Sequence, residues 1–166
     1  MTPGLSQELL AKQTCGVKKT SYDLALEVMP DFREVLESFP DKPRDFTWDI
    51  KVHMLMPRQY PCIPNWHFDN IPRPTGVQDF NVVPAINSPM YLWVSGGPLT
   101  EFKNGYVKPR MWHQFTQHDE HRGTASGDFC WRAFIRATHS SILKPDTVNY
   151  VRRHCQVYLD AENYTW

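Results

Sequence analysis

The run Asn65-Trp66-His67-Phe68-Asp69 places an imidazole and a carboxylate two residues apart. In an extended strand, residues i and i+2 point to the same face, so His67 and Asp69 would share one face while Phe68 packs on the other. Two such groups supply two ligands of a facial triad. A third histidine from a neighbouring strand would complete it, leaving open positions on an octahedral ion. Alone, His-x-Asp is a short pattern, equally compatible with a hydrogen-bonded turn histidine beside an exposed aspartate. Its weight depends on the histidines and arginines later in the chain.

Candidates for the third ligand are His113, His118 and His121, within or just before the stretch Gln117-His118-Asp119-Glu120-His121-Arg122-Gly123. After GTASGDFC comes Trp131-Arg132-Ala133-Phe134-Ile135-Arg136-Ala137-Thr138, a strand pattern carrying two guanidinium groups. A guanidinium stays charged and offers a planar fork that matches a carboxylate. The opposite reading is that Phe129, Trp131, Ala133, Ile135 and Ala137 form the buried face and both arginines face solvent. Phe134, between the arginines on their face, speaks for a lined pocket.

His67, Asp69, a later histidine and then an arginine, in this order, resemble the Fe(II)/2-oxoglutarate-dependent oxygenase family. That family places an arginine about ten to fifteen residues after its distal histidine; here His121 precedes Arg132 by 11 and Arg136 by 15. The resemblance covers roughly residues 48 to 138. It implies a double-stranded β-helix (a jelly-roll or cupin-like barrel), with Fe(II) held by His67, Asp69 and His121. It also implies that 2-oxoglutarate is the cosubstrate. Arg132 is then the expected anchor of its far carboxylate. Arg136 is a second candidate for that role or a substrate-side cation, and Tyr91 is a further hydrogen-bond donor. Trp66 and Trp112 are candidates to floor a substrate pocket, and Arg73, in the proline-rich loop 70–89, to meet an anionic group. His53 and His139 read as ordinary polar residues. Two alternatives stand beside this. One is a cupin-type metalloenzyme without 2-oxoglutarate, although no His-x-His with a following Glu is present. The other is a barrel that only binds.

The elements that must position these residues fall into three segments of one expected domain. Residues 1–45 read as helical: Ser6 to Gln13, with Ser6 as N-cap, and Tyr22 to Phe39, broken at Pro30. Residues 46–140 read as the β-barrel core, with strands over 46–56, 78–83, 90–94, 106–108, 112–116 and 128–138. Residues 141–166 read as a closing helix and tail, because Val148, Val151, Cys155 and Leu159 recur at helical spacing. A hairpin through Gly123 to Gly127 is expected to set the His121 strand beside the Arg132 strand. The predicted class is therefore α+β, mainly β, with helices packed outside a barrel.

Composition bounds the partners. Lys plus Arg and Asp plus Glu each total 18, a formal net charge of zero, so there is no strong nucleic-acid signal. The four cysteines are scattered, without a CxxC pair, and read as small buried hydrophobes rather than a disulfide framework. No apolar run approaches the length of a membrane span. The expectation is a soluble, cytoplasmic protein.

Overall fold

The structure is a computed structural model that describes residues 4–81 and 87–159. Two serines start the helical part. Ser6 caps α1 (Gln7–Ala11) by accepting from Leu9 N at 3.1 Å, and Ser21 caps α2 (Tyr22–Val28) by accepting from Leu24 N. Pro30 has no N–H to continue α2, so the chain turns through a 3-10 segment, Pro30–Phe32, into α3 (Arg33–Glu37). The predicted break is found there.

The strands are β1 (Gly16–Thr20), β2 (Phe46–Leu55), β3 (Met90–Val94), β4 (Glu101–Phe102), β5 (Gly105–Tyr106), β6 (His113–Phe115), β7 (His121–Arg122), β8 (Cys130–His139) and β9 (Val151–Arg152). They form a six-stranded sheet, ordered β6-β3-β8-β2-β1-β9, and a three-stranded sheet, β5-β4-β7. All the pairings are antiparallel. The fold is α+β and mainly β, with three short helices.

The long pair β2 and β8 carries the architecture, in unbroken register from Phe46↔His139 to Leu55↔Cys130. One face of this pair presents Trp48, Ile50, Ala133, Ile135 and Ala137, which pack with Leu10, Phe32, Leu36 and Phe39 from the helical part. A second cluster lies on the other side of the sheet: Met90, Leu92, Val94, Phe115 and Phe134 meet Phe102 of the smaller sheet. The β2–β8 pair therefore has two buried faces, one against helices and one against the second sheet. The second face carries Thr47, Asp49, Lys51 and His53 opposite Thr138, Arg136, Phe134 and Arg132.

Several expectations are corrected. Among the described residues, 141–159 contain no helix. The chain instead joins the edge of β1, with Val17↔Val151 paired and Lys18 N donating to Tyr150 O at 2.8 Å. Val148 and Leu159 are 67% and 69% exposed, so the helical spacing of apolar residues marks no buried face. The open edge of β1 is satisfied by recruiting the tail as a strand. His154 accordingly lies in coil. Residues 78–81 are not a strand, and the rest of that expected strand lies outside the described residues. Met54 and Met56, at the end of the strand expected over 46–56, are exposed. All four cysteines are free and half-buried rather than buried. Among the described residues, no helix is long and apolar enough to cross a membrane.

Gly16 sits where a β-carbon would run into the carbonyl of Ile50 on the neighbouring strand. The backbone there cannot yield without parting β1 from β2. Gly16→Ala is expected to cost about 1–3 kcal/mol, read as a lower urea midpoint; an unchanged midpoint would mean the edge is looser than described.

Candidate metal centre

His67 and His121 are joined through their backbones. Each N–H donates to the other residue's carbonyl at 2.9 Å, an antiparallel bridge that sets the two side chains next to each other. The segment before His67 runs beside the one after His121. Gly123 N donates to Ile63 O at 2.7 Å, Ser126 N to Gln59 O and Arg58 N to Ser126 O, both at 2.8 Å. A β-carbon on Gly123 would meet the Cys62 carbonyl at 2.6 Å, so this close approach requires glycine. The predicted hairpin at 123–127 is corrected: β7 pairs with β4, whereas β8 lies in the other sheet. The glycine-containing segment crosses between facing sheets, and His121 confronts β8 rather than lying beside it.

The ligand atoms converge. His67, Asp69 and His121 each offer one donor atom, all within 4.8 Å of one another. Asp69 Oδ1 lies 3.3 Å from His121 Nε2 and 3.7 Å from His67 Nε2. The two histidines are oriented alike: His67 Nδ1 is 2.8 Å from Asn65 O, and His121 Nδ1 is 2.9 Å from Asp119 O. A carbonyl only accepts, so each ring keeps its proton on Nδ1 and turns Nε2 toward the common point. This is how outer hydrogen bonds orient imidazole ligands. Gln78 bonds both backbone groups of Phe68, and Gln117 Nε2 donates to Asn70 O at 3.0 Å, clamping the backbone on either side of Asp69.

The carboxylate is divided between two duties. Its Oδ2 accepts from Arg136 Nη1 at 3.0 Å, and Arg136 Nη2 reaches Asp49 Oδ2 at 3.3 Å. Asp49 also accepts from Arg152 Nη2 at 3.4 Å and from Lys19 N at 3.2 Å. Burial would raise the pKa of Asp69, but His121, Arg136 and His67 hold it well below the usual carboxylate range. Burial likewise opposes charge on both histidines. It prevails at His67, whose pKa is lowered, and is outweighed at His121 by Asp69 and the Asp119 carbonyl, so that pKa is raised.

A cavity of about 90 Å³ adjoins the triad, walled by Lys51, Leu92, Thr100, Phe115, Phe134 and Arg136 among others. No family model and no curated protein matches the chain. Among solved structures, protein NMB1881 from Neisseria meningitidis is similar at 15% identity, over 53% of this chain and 70% of that one. The TM-score is 0.27, and the likeness carries no argument. The site stands on its own geometry.

Of the residues singled out in the sequence, His67, Asp69, His121 and Arg136 come together here. Arg132 is fully buried on the same face of β8, its Nε donating to Pro98 O at 2.9 Å, and it does not line the cavity. Neither arginine faces open solvent. Arg73 lies within electrostatic reach of Asp69 and His67. Three placements correct the sequence reading. Tyr91 lies on the helix-facing side of the sheet and its hydroxyl donates to Asp41 Oδ2 at 3.2 Å, so it does not face the cavity. Trp112 also packs on that side, against Phe39 and Trp48. Trp66 lies outside the cavity, with Lys103 Nζ 3.8 Å and the Arg122 guanidinium 4.6 Å from its ring centre. Of the rival histidines, His113 packs at a tilt against Phe102, ring centres 4.6 Å apart, and His118 is exposed in a turn. Asp49, Lys51, Thr100, Gln78 and Gln117 were not foreseen.

The donor set fits a divalent transition ion. Two neutral imidazoles and one carboxylate on one side would leave the remaining positions of an octahedral ion free. Metal must displace the proton that His121 shares with Asp69, so affinity is expected to rise with pH through and above 6.5, the ordinary histidine value that His121 exceeds. Pulling one arm from Asp69, Arg136→Met is expected to weaken metal binding roughly tenfold to a hundredfold. Both are read by competition with a chromogenic chelator; a pH-independent affinity, or an unaffected variant, would contradict the ligand assignment.

His53 gives a separate test. It is buried, with Nε2 3.1 Å from Pro61 O, and burial lowers its pKa from 6.5 to about 4. Between these values the unfolded chain binds a proton that the folded chain refuses. This contribution to stability is complete above the unfolded pKa and is lost as pH falls toward the folded one. By pH 5 the parent is expected to have lost about 2 kcal/mol through this group, a slope missing in His53→Gln. Equal pH slopes in urea titrations would refute it.

Proposed function

We propose that this protein is an iron(II)- and 2-oxoglutarate-dependent oxygenase on a double-stranded β-helix scaffold. The observation that carries the reading is the convergence of His67 Nε2, His121 Nε2 and Asp69 Oδ1 beside a cavity whose wall carries the cationic side chains of Lys51 and Arg136. A small metal site with neutral surroundings would need no such wall. A cosubstrate that chelates metal and carries further negative charge would.

The strand order supports the scaffold. Counting β2 first and the His67 segment second, the larger sheet contains β2-β8-β3-β6, and the smaller contains the His67 segment, then β7, β4 and β5. This interleaving of two antiparallel sheets, with the His67 segment joined to β7 by an isolated bridge, supports the reading of a jelly-roll winding. In it, the His67 segment and β7 lie at one end of the smaller sheet, facing β8 across the interior.

Iron(II) held by His67, Asp69 and His121 would, together with 2-oxoglutarate and dioxygen, supply the oxidising chemistry, oxygen insertion into substrate coupled to oxidative decarboxylation of the oxo acid. The chain's own part is placement. His67 and His121 present lone pairs from rings fixed by backbone carbonyls. Arg136 holds Asp69 Oδ2 and leaves Oδ1 for the ion. Leu92, Phe115 and Phe134 keep water scarce around the site. Arg73, within electrostatic reach of Asp69 and His67 although it does not line the cavity, is the proposed substrate-side cation.

Anaerobic titration with iron(II) and then 2-oxoglutarate tests this. A weak visible charge-transfer band is expected only with both present, and is expected to vanish in His67→Ala. Metal binding without a band would point instead to a cupin-type enzyme that does not use 2-oxoglutarate.

A further inference from the structure

The interior face of β2 and β8 is a ladder of three cross-strand pairs: Asp49↔Arg136, Lys51↔Phe134 and His53↔Arg132. The first is spent on the triad, since both terminal nitrogens of Arg136 are held by Asp69 and Asp49. In the third, Arg132 is fully buried with Nη1 and Nη2 lacking a hydrogen-bond partner, but it is off the cavity wall. The middle pair is different. Lys51 lines the cavity with its ammonium 5.5 Å from the centre of the Phe134 ring, and among the described residues it forms no ion pair. Burial and the nearby charges of Arg136 and Arg152 lower its pKa, so its charge is poorly compensated.

A second group faces the same space from the other sheet. Thr100, next to β4, is 2% exposed, lines the cavity, and its Oγ1 has no hydrogen-bond partner. A buried hydroxyl without a partner is costly unless a ligand supplies one. One sheet thus offers a cation and the other a hydroxyl donor, and both lack an acceptor.

Resting on the oxygenase reading, we infer that Lys51 and Thr100, not Arg132 or Arg136, form the subsite for the far carboxylate of the 2-oxo dicarboxylic acid. The strand rise supports this. Lys51 lies two residues, about 7 Å, along β2 from Asp49, whose partner Arg136 touches Asp69. That step suits a five-carbon diacid whose oxo-acid end is at the triad. Arg132 is a further step away, about 13 Å along the ladder.

The test compares two ligands on anaerobic iron(II)-loaded protein by titration calorimetry. One is 2-oxoglutarate; the other, 2-oxobutyrate, keeps the chelating end and lacks the far carboxylate. The parent is expected to prefer 2-oxoglutarate. Lys51→Gln and Lys51→Met are expected to reduce that preference roughly tenfold to a hundredfold, and Thr100→Val by a smaller factor. Affinity for 2-oxobutyrate should stay unchanged in each, which also certifies that the variant is folded and loaded. Arg132→Lys should keep the preference. An undiminished preference in the Lys51 variants overturns the subsite and leaves the oxygenase reading standing. Failure of the parent to bind either oxo acid overturns that reading, and the subsite with it.

Discussion

The two hydrogen bonds between the backbones of His67 and His121, each 2.9 Å, hold together segments more than fifty residues apart in the chain. Because residues facing each other across an antiparallel pair project to the same side, this bridge places two imidazoles side by side, ring centres 4.5 Å apart. Asp69 follows two positions after His67, close enough for its Oδ1 to reach between the two Nε2 atoms. Everything else about the centre adjusts to this. Gly123 permits the close approach of the segments, Gln78 and Gln117 clamp the turn after His67, and the carbonyls of Asn65 and Asp119 fix both rings.

Facing the bridge is a strand pair that has no solvent side near the site. The helices cover one face of β2 and β8, so the residues that look polar in sequence are directed into the protein. Burying charge this way is tolerable only when it is paired and hydrogen-bonded. Asp49, Arg136 and Asp69 satisfy this as a chain, with Arg152 at its outer end. The edge strand that replaces the expected closing helix thereby contributes a charge to the support of the metal site. Lys51 and Thr100 lie outside this chain, and their unmet requirements are what give the cavity its character.

Much of this was legible in the residues. His-x-Asp, the later histidine, the break at Pro30 and the cap at Ser6 are local signals, and the structure brings the triad together as their order implied. The strands β4, β5 and β7 have two residues each, too few for a period to register. The inward face of β2 was missed because Thr47, Asp49, Lys51 and His53 alternate with apolar residues, as an exposed face would. A usable signal existed: β8 carries arginines at the same period, and matching Asp49 to Arg136 would have paired the polar faces inside. Tyr91 and Trp112 were misplaced for a related reason. Large aromatics serve either face of a sheet, and only their neighbours Phe39 and Trp48 assign these two to the helical side.

The central claim is that one metal ion is held by His67, Asp69 and His121. Its most direct test is a crystal structure of the protein grown without oxygen and loaded with iron(II), with diffraction recorded on both sides of the iron absorption edge. The account predicts one anomalous peak bonded to His67 Nε2, His121 Nε2 and Asp69 Oδ1, with Arg136 still on Oδ2 and the remaining positions open to solvent or ligand. A peak elsewhere, or no peak beside a His121 that remains hydrogen-bonded to Asp69, would contradict it.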